Sequence, residues 1–113
     1  MADAVNYGTI TGPIVMIGFG SIGRGTWPLL EKHFSFDREK FVVIEPDAGN
    51  HAVLDEMGLR YVDTALTPEN FREVLGGLIE PGQGFCVNLS VDTASLDLMI
   101  FCREQGVPYI DTV

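Results

Sequence analysis

Beyond Pro13 the chain alternates two kinds of segment. The first is a brief, continuous apolar run: Ile14–Ile17, Phe41–Ile44, Arg60–Val62, Phe85–Leu89 and Tyr109–Ile110. These runs are too short for helices and rich in β-branched or aromatic residues. Unbroken rather than alternating hydrophobicity predicts strands covered on both faces, as in parallel sheets. The second kind is amphipathic. Phe71, Val74, Leu75, Leu78 and Ile79 keep the spacing of one helical face. Thr67 is placed to cap that helix, with Pro68 at its first position. Leu96, Met99, Ile100 and Arg103 trace another helix, ended by Gly106 and Pro108. Ala48–Met57 reads as a helix closed by Gly58, and residues 21–34 as one more, with Pro28 inside it predicting a kink or a broken first turn. Strand and helix thus alternate four times before a fifth strand. Parallel neighbours need right-handed crossovers. The expected fold is a three-layer, doubly wound α/β domain of Rossmann type, with a parallel sheet in the order 3-2-1-4-5.

At 113 residues the chain is long enough for one domain with a core. Its 46% hydrophobic and 20% charged residues are ordinary globular values and exclude disorder by composition. Seven Lys and Arg against sixteen Asp and Glu give a net charge of −9. That balance argues against a nucleic-acid partner, which needs clustered cations. No apolar run is long enough to span a membrane, and residues 1–12 read as a loose lead-in without a secretory pattern. Cys86 and Cys102 sit in apolar stretches without metal-type spacing. They are expected to be reduced, buried thiols of a cytoplasmic protein.

The candidate chemistry lies in Gly18-Phe19-Gly20-Ser21-Ile22-Gly23. This Gly-x-Gly-x-x-Gly follows a predicted strand and opens a predicted helix. Glu45, ending the next strand, lies 22 residues beyond Gly23, near the ~20-residue spacing of the dinucleotide fingerprint. Gly18 suits the tight turn, Gly20 the approach of a pyrophosphate, and Gly23 close packing of helix on strand. The helix N-terminus favours phosphate, and Glu45 can accept from an adenosine ribose. A carboxylate there would repel a 2′-phosphate, and Pro46-Asp47 brings no arginine, so NAD is expected over NADP. Residues 13–113 therefore read as a dinucleotide-binding domain. Asn88 and Ser90 follow the fourth strand, where open parallel sheets bind ligands. Asp92 reads two ways, as an amine or cofactor contact or as a helix N-cap. Asp111-Thr112, after the fifth strand, is a weaker candidate of the same kind. Arg24 is open between a phosphate contact and a surface residue. His33 and Trp27 read as structural, and His51 lacks a second histidine, so no metal site is expected.

Three segments carry a family resemblance. Residues 12–26, the run Phe85-Cys-Val-Asn-Leu-Ser-Val-Asp-Thr93, and Tyr109-Ile-Asp-Thr-Val113 resemble bacterial homospermidine synthases, within the broader saccharopine-dehydrogenase-like oxidoreductases. The resemblance implies an enzyme that joins two putrescines into homospermidine and releases ammonia, with NAD as a recycling redox group. It implies cofactor contacts at Gly18, Gly20, Ser21, Ile22, Gly23, Glu45, Asn88, Ser90 and Thr112, and places Asp92 toward the polyamine. Members of that family are several times longer. The chain is thus expected to be an N-terminal part that lacks the second, catalytic domain and is inactive alone. Apolar surface left open by such a part favours self-association, and a homodimer is one assembly it allows. Two other functions fit the fold: the NAD-binding part of another amine or amino-acid oxidoreductase of the saccharopine-dehydrogenase type, and a stand-alone nucleotide-sensing module.

Overall fold

The computed structural model describes residues 8–90 and 95–111. Among the described residues, seven strands, four α-helices and one short 3-10 turn follow one another. The strands are β1 (Gly8–Thr9), β2 (Ile14–Ile17), β3 (Phe34–Ser35), β4 (Phe41–Ile44), β5 (Arg60–Val62), β6 (Phe85–Asn88) and β7 (Tyr109–Asp111). The helices are α1 (Ser21–His33), α2 (Ala48–Met57), α3 (Phe71–Gly76) and α4 (Ser95–Gln105). Five strands form one parallel sheet in the order β5-β4-β2-β6-β7. Counted along the chain, those five run 3-2-1-4-5, as the alternation predicts. β1 and β3, which no apolar run marks, pair in parallel as a separate ribbon, so the end of the lead-in is docked beside α1.

The continuous apolar runs are explained by burial on both faces. Every residue of β2 and β4 is buried. Alternation along the strand then sorts them. Val15, Ile17, Val42 and Ile44 face Phe71, Leu75, Leu98 and Phe101, from α3 and α4. Ile14, Met16, Phe41 and Val43 face Trp27 of α1 and Leu54 of α2. Helices cover both sides of the sheet, and the two clusters form its two cores.

Local chemistry sets the helix ends. Asp47 caps α2, its Oδ1 accepting from Gly49 N at 2.8 Å. Gly58 closes it at φ 70°, a left-handed conformation suited to glycine. Thr67 and Asn70 close the turn before α3 reciprocally: Thr67 Oγ1 accepts from Asn70 N at 3.1 Å, and Asn70 Oδ1 accepts from Thr67 N at 2.7 Å. Asn70 is the N-cap residue, so the helix begins at Phe71 and not at Pro68.

Three further expectations change. The regular part of α3 stops at Gly76, because the Gly76-Gly77 pair ends it before Leu78 and Ile79, which still pack on the core. α1 continues through Pro28 to His33 without a broken turn. Trp27 anchors it there, packed on Phe41 (4.6 Å between ring centres) and Phe36 (5.8 Å). In α4 the buried stripe is Leu98, Phe101 and Cys102, whereas Leu96, Met99 and Ile100 are exposed. Two overlapping apolar stripes share this helix. The edge-on contact of Phe101 with Phe71 accompanies burial of the one that periodicity did not single out.

Candidate functional site: the crevice at the sheet's reversal point

β2 lies between β4 and β6, so the order of the sheet reverses around it. Loops leaving β2 and its neighbours diverge there and open a crevice at the strands' carboxyl ends. The three glycines of the first turn carry different burdens. Gly18 sits at φ 88°, and a Cβ on it would lie 3.2 Å from Ser90 N. Its own N–H donates to Ile44 O at 2.8 Å, while Leu89 N donates to Ile17 O at 2.8 Å. Gly23 is pressed on the turn: a Cβ would lie 3.0 Å from Gly18 O and 3.3 Å from Phe19 Cδ1. Gly20 differs from both. Its φ of −80° is open to any residue, and a Cβ would meet nothing within 4 Å. It is the N-cap of α1 and makes no side-chain cap bond to the first turn, the end of a helix that suits an anion.

Glu45 is buried, 6% exposed. Its Oε1 accepts from Phe19 N at 2.6 Å and its Oε2 from Asp47 N at 3.0 Å. Phe19 itself is sunk in the core. The carboxylate therefore ties the glycine turn to the loop after β4. The backbone of Glu45 is held as well, its N–H donating to Val62 O at 3.0 Å and its carbonyl accepting from His51 Nε2. His51 stacks flat on Tyr61, 4.3 Å between ring centres, and its Nε2 lies 3.9 Å from Asp63 Oδ1. From α2 it holds the backbone of the loop after β4, a structural role. Among the described residues no His, Cys, Asp and Glu group could hold a metal.

A cavity of about 310 Å³ opens above these groups, with Gly18, Gly20, Glu45, Asn50, Leu66 and Ser90 in its walls. Asn88 is one layer lower and fully buried. Its Oδ1 accepts from Ser90 N at 3.0 Å, and its Nδ2 donates to the Tyr109 hydroxyl at 3.0 Å. Asn88 thus orients Ser90 rather than lining the cavity. Burial pushes the Tyr109 phenol up to about 12. In the sequence Tyr109 reads only as a strand residue, because its hydroxyl partner Asn88 lies 21 residues away. Arg24, one turn along α1 from Gly20, donates through Nη2 to Asn50 Oδ1 at 2.7 Å. Asp92 and Thr112 lie outside the described residues, and of Ser21 and Ile22 the structure describes only their place in the first turn of α1.

Cys86 and Cys102 are both buried and unbridged. Hydrogen bonding to Cys102, followed by burial, holds the Cys86 thiol well above the usual range. No described helix is long and apolar enough to cross a membrane.

This geometry has close parallels among known proteins. A homospermidine synthase of Blastochloris viridis is 57% identical over the whole chain, and one of Mesorhizobium japonicum is 57% identical over 95% of it. The chain spans 24% and 22% of those two proteins. The crystal structure of a homospermidine synthase from Legionella pneumophila in complex with NAD superposes with a TM-score of 0.82 at 27% identity, over 91% of this chain and 22% of that one. Residues 14–113 match the model of the saccharopine dehydrogenase NADP-binding domain. The chain belongs to that family of dinucleotide-binding domains.

Proposed function

We propose that this chain is the NAD-binding part of a homospermidine synthase, an enzyme that condenses two putrescines into homospermidine and ammonia. The supporting observation is 57% identity across essentially the whole chain to two proteins of that name. The likeness to an NAD complex of a third adds the cofactor.

The crevice suits a dinucleotide. Gly20 leaves the space beside the α1 N-terminus free for a pyrophosphate, and the uncapped N–H groups of Ser21, Ile22 and Gly23 would receive it. The adenosine would enter the cavity beside Glu45 and Leu66. Ser90, oriented by Asn88, would face the cofactor from the opposite side. Thr112 and Asp92 extend the proposed contacts, the latter toward an ammonium of the amine. Bound there, NAD supplies a reversible hydride acceptor, so amine oxidation and imine reduction would cancel in the net reaction. This chain's residues contribute binding and orientation. Proton transfers to and from the amines are assigned to the remainder of the longer protein. A cytoplasmic location accords with the unbridged thiols.

The test is incubation of the intact protein with putrescine and NAD, followed by polyamine mass spectrometry and absorbance at the NADH band. Homospermidine without net NADH is expected. Stoichiometric NADH without a new triamine would replace this reading by a plain amine dehydrogenase. Turnover of an amino acid but not putrescine would favour the saccharopine-dehydrogenase type that the family description names.

A further inference from the structure

Glu45 occupies the place where dinucleotide folds put the acid that receives the adenosine ribose. Its carboxylate already holds the fold, with two of its roughly four acceptor positions filled. Both carboxylate oxygens already accept backbone N–H groups, at 2.6 and 3.0 Å, and the residue is 6% exposed. The Phe19 N–H it holds belongs to the glycine turn itself. Loss of that bond would strand a buried donor and release the turn.

Besides Glu45, the polar side chains in the cavity wall on this side are Asp47, Asn50 and Thr64, and Arg24 reaches Asn50 from α1. Asn50 is in the first turn of α2 and forms part of the cavity wall. Arg24 is exposed, and its backbone N–H donates to Gly20 O at 2.9 Å, so it stands one turn above the glycine that admits the ligand. The 2.7 Å bond from Arg24 Nη2 to Asn50 Oδ1 bridges α1 and α2 beside the cavity. It uses one of the guanidinium's five donors. Two carboxylates, Glu45 and Asp47, oppose an anion here. Asp47 is engaged as the α2 cap, and Glu45 by the turn. Arg24 is the cation set against them.

We infer that the 2′ position of the adenosine ribose is read by the Arg24–Asn50 pair, and that Glu45 is a positioning residue for the glycine turn. This rests on the dinucleotide reading above and refines it. A guanidinium binds a phosphate dianion better than a hydroxyl. Arg24 therefore keeps a 2′-phosphorylated dinucleotide as a competing ligand, against the expectation from Glu45 alone.

The experiment titrates the intact protein calorimetrically with NAD and with NADP. Arg24→Ala should weaken NADP about tenfold while changing NAD less than about threefold, and Arg24→Lys should restore part of the loss. Glu45→Gln should weaken both nucleotides by the same factor and leave their ratio unchanged. Selective loss of NAD in Glu45→Gln would return the ribose to Glu45 and overturn the inference. So would an unchanged ratio in Arg24→Ala, a test that stands even if Glu45→Gln fails to fold, because Arg24 is exposed. Binding of neither nucleotide by the unsubstituted protein would remove the dinucleotide reading and this inference together, an outcome distinct from the other two.

Discussion

Gly20→Ala should separate binding from folding. The backbone at Gly20, φ −80° and ψ −153°, is accessible to alanine, and the added methyl meets no atom within 4 Å. Glycine is preferred to alanine at an N-cap by under ~1 kcal/mol. Alanine recovers ~0.4–1 kcal/mol through the lower entropy of the unfolded chain. The two effects offset, and stability should stay within about 0.5 kcal/mol. The methyl would stand where a pyrophosphate approaches the first turn of α1. Displacing one phosphate oxygen loses at least one charge-assisted hydrogen bond, ~1.5–3 kcal/mol, so NAD affinity should fall roughly ten- to a hundredfold.

Gly23→Ala is the control. There the methyl would be 3.0 Å from Gly18 O and 3.3 Å from Phe19 Cδ1. Overpacking costs ~1–3 kcal/mol, against under ~1 kcal/mol gained in helix propensity. A net loss of ~1 kcal/mol lowers the melting midpoint by about 4–8 °C in a domain near this size. Thermal melts and NAD titrations of both variants provide the readout. Unchanged affinity in Gly20→Ala would show that the ligand does not pass the turn. A midpoint drop in Gly20→Ala as large as in Gly23→Ala would refute the division of labour between the glycines.

Further outcomes follow from single contacts. Tyr109→Phe removes the acceptor of the buried Asn88 Nδ2, and urea unfolding should register a loss of ~1–3 kcal/mol. Burial raises the Tyr109 phenol to about 12 from its ordinary 10.0. Between those values the unfolded chain has lost a proton that the folded one keeps, so stability should fall as pH rises through about 10 to 12; Tyr109→Phe should flatten that decline. Alkylation under denaturing, non-reducing conditions should count Cys86 and Cys102 as two free thiols, whereas the native protein should react slowly; a disulfide would refute this. Thr67→Ala removes the hydroxyl that accepts from Asn70 N in the turn before α3 and should cost ~0.5–1.5 kcal/mol in a thermal melt.

The sheet was legible because strands buried on both faces have nothing to alternate with, and β2 and β4 are buried at every position. The end of α2 was legible because Gly58 needs its left-handed backbone whatever surrounds it. The buried stripe of α4 was not. Leu96, Met99 and Ile100 are as apolar as Leu98, Phe101 and Cys102, and only contact with Phe71 and the sheet decides between them. The ribbon of β1 with β3 depends on residues 26 apart meeting beside α1, which no local pattern encodes. In the site, the motif identified the turn and its ligand class. It could not show that the Glu45 carboxylate also holds the backbone of the turn, since Phe19 lies 26 residues away in the chain.

The buried polar groups show what the interior is arranged to do. Among the described residues only two polar side chains are buried, Glu45 and Asn88. Glu45 directly follows β4 and Asn88 ends β6, the strands on either side of β2. Burial of such groups is costly unless hydrogen bonds replace water. Here no described buried side-chain nitrogen or oxygen lacks a partner. Glu45 accepts from Phe19 N and Asp47 N, and Asn88 accepts from Ser90 N. Each thus fixes the backbone of a loop that leaves the reversal point. The interior is otherwise apolar, and it admits polarity only where the two walls of the crevice must be held. A crevice held in this way need not be ordered when a ligand arrives, so less of the binding free energy is lost to immobilising loops. Removing either side chain should therefore weaken ligands through disordered walls, even where the side chain itself touches no part of them.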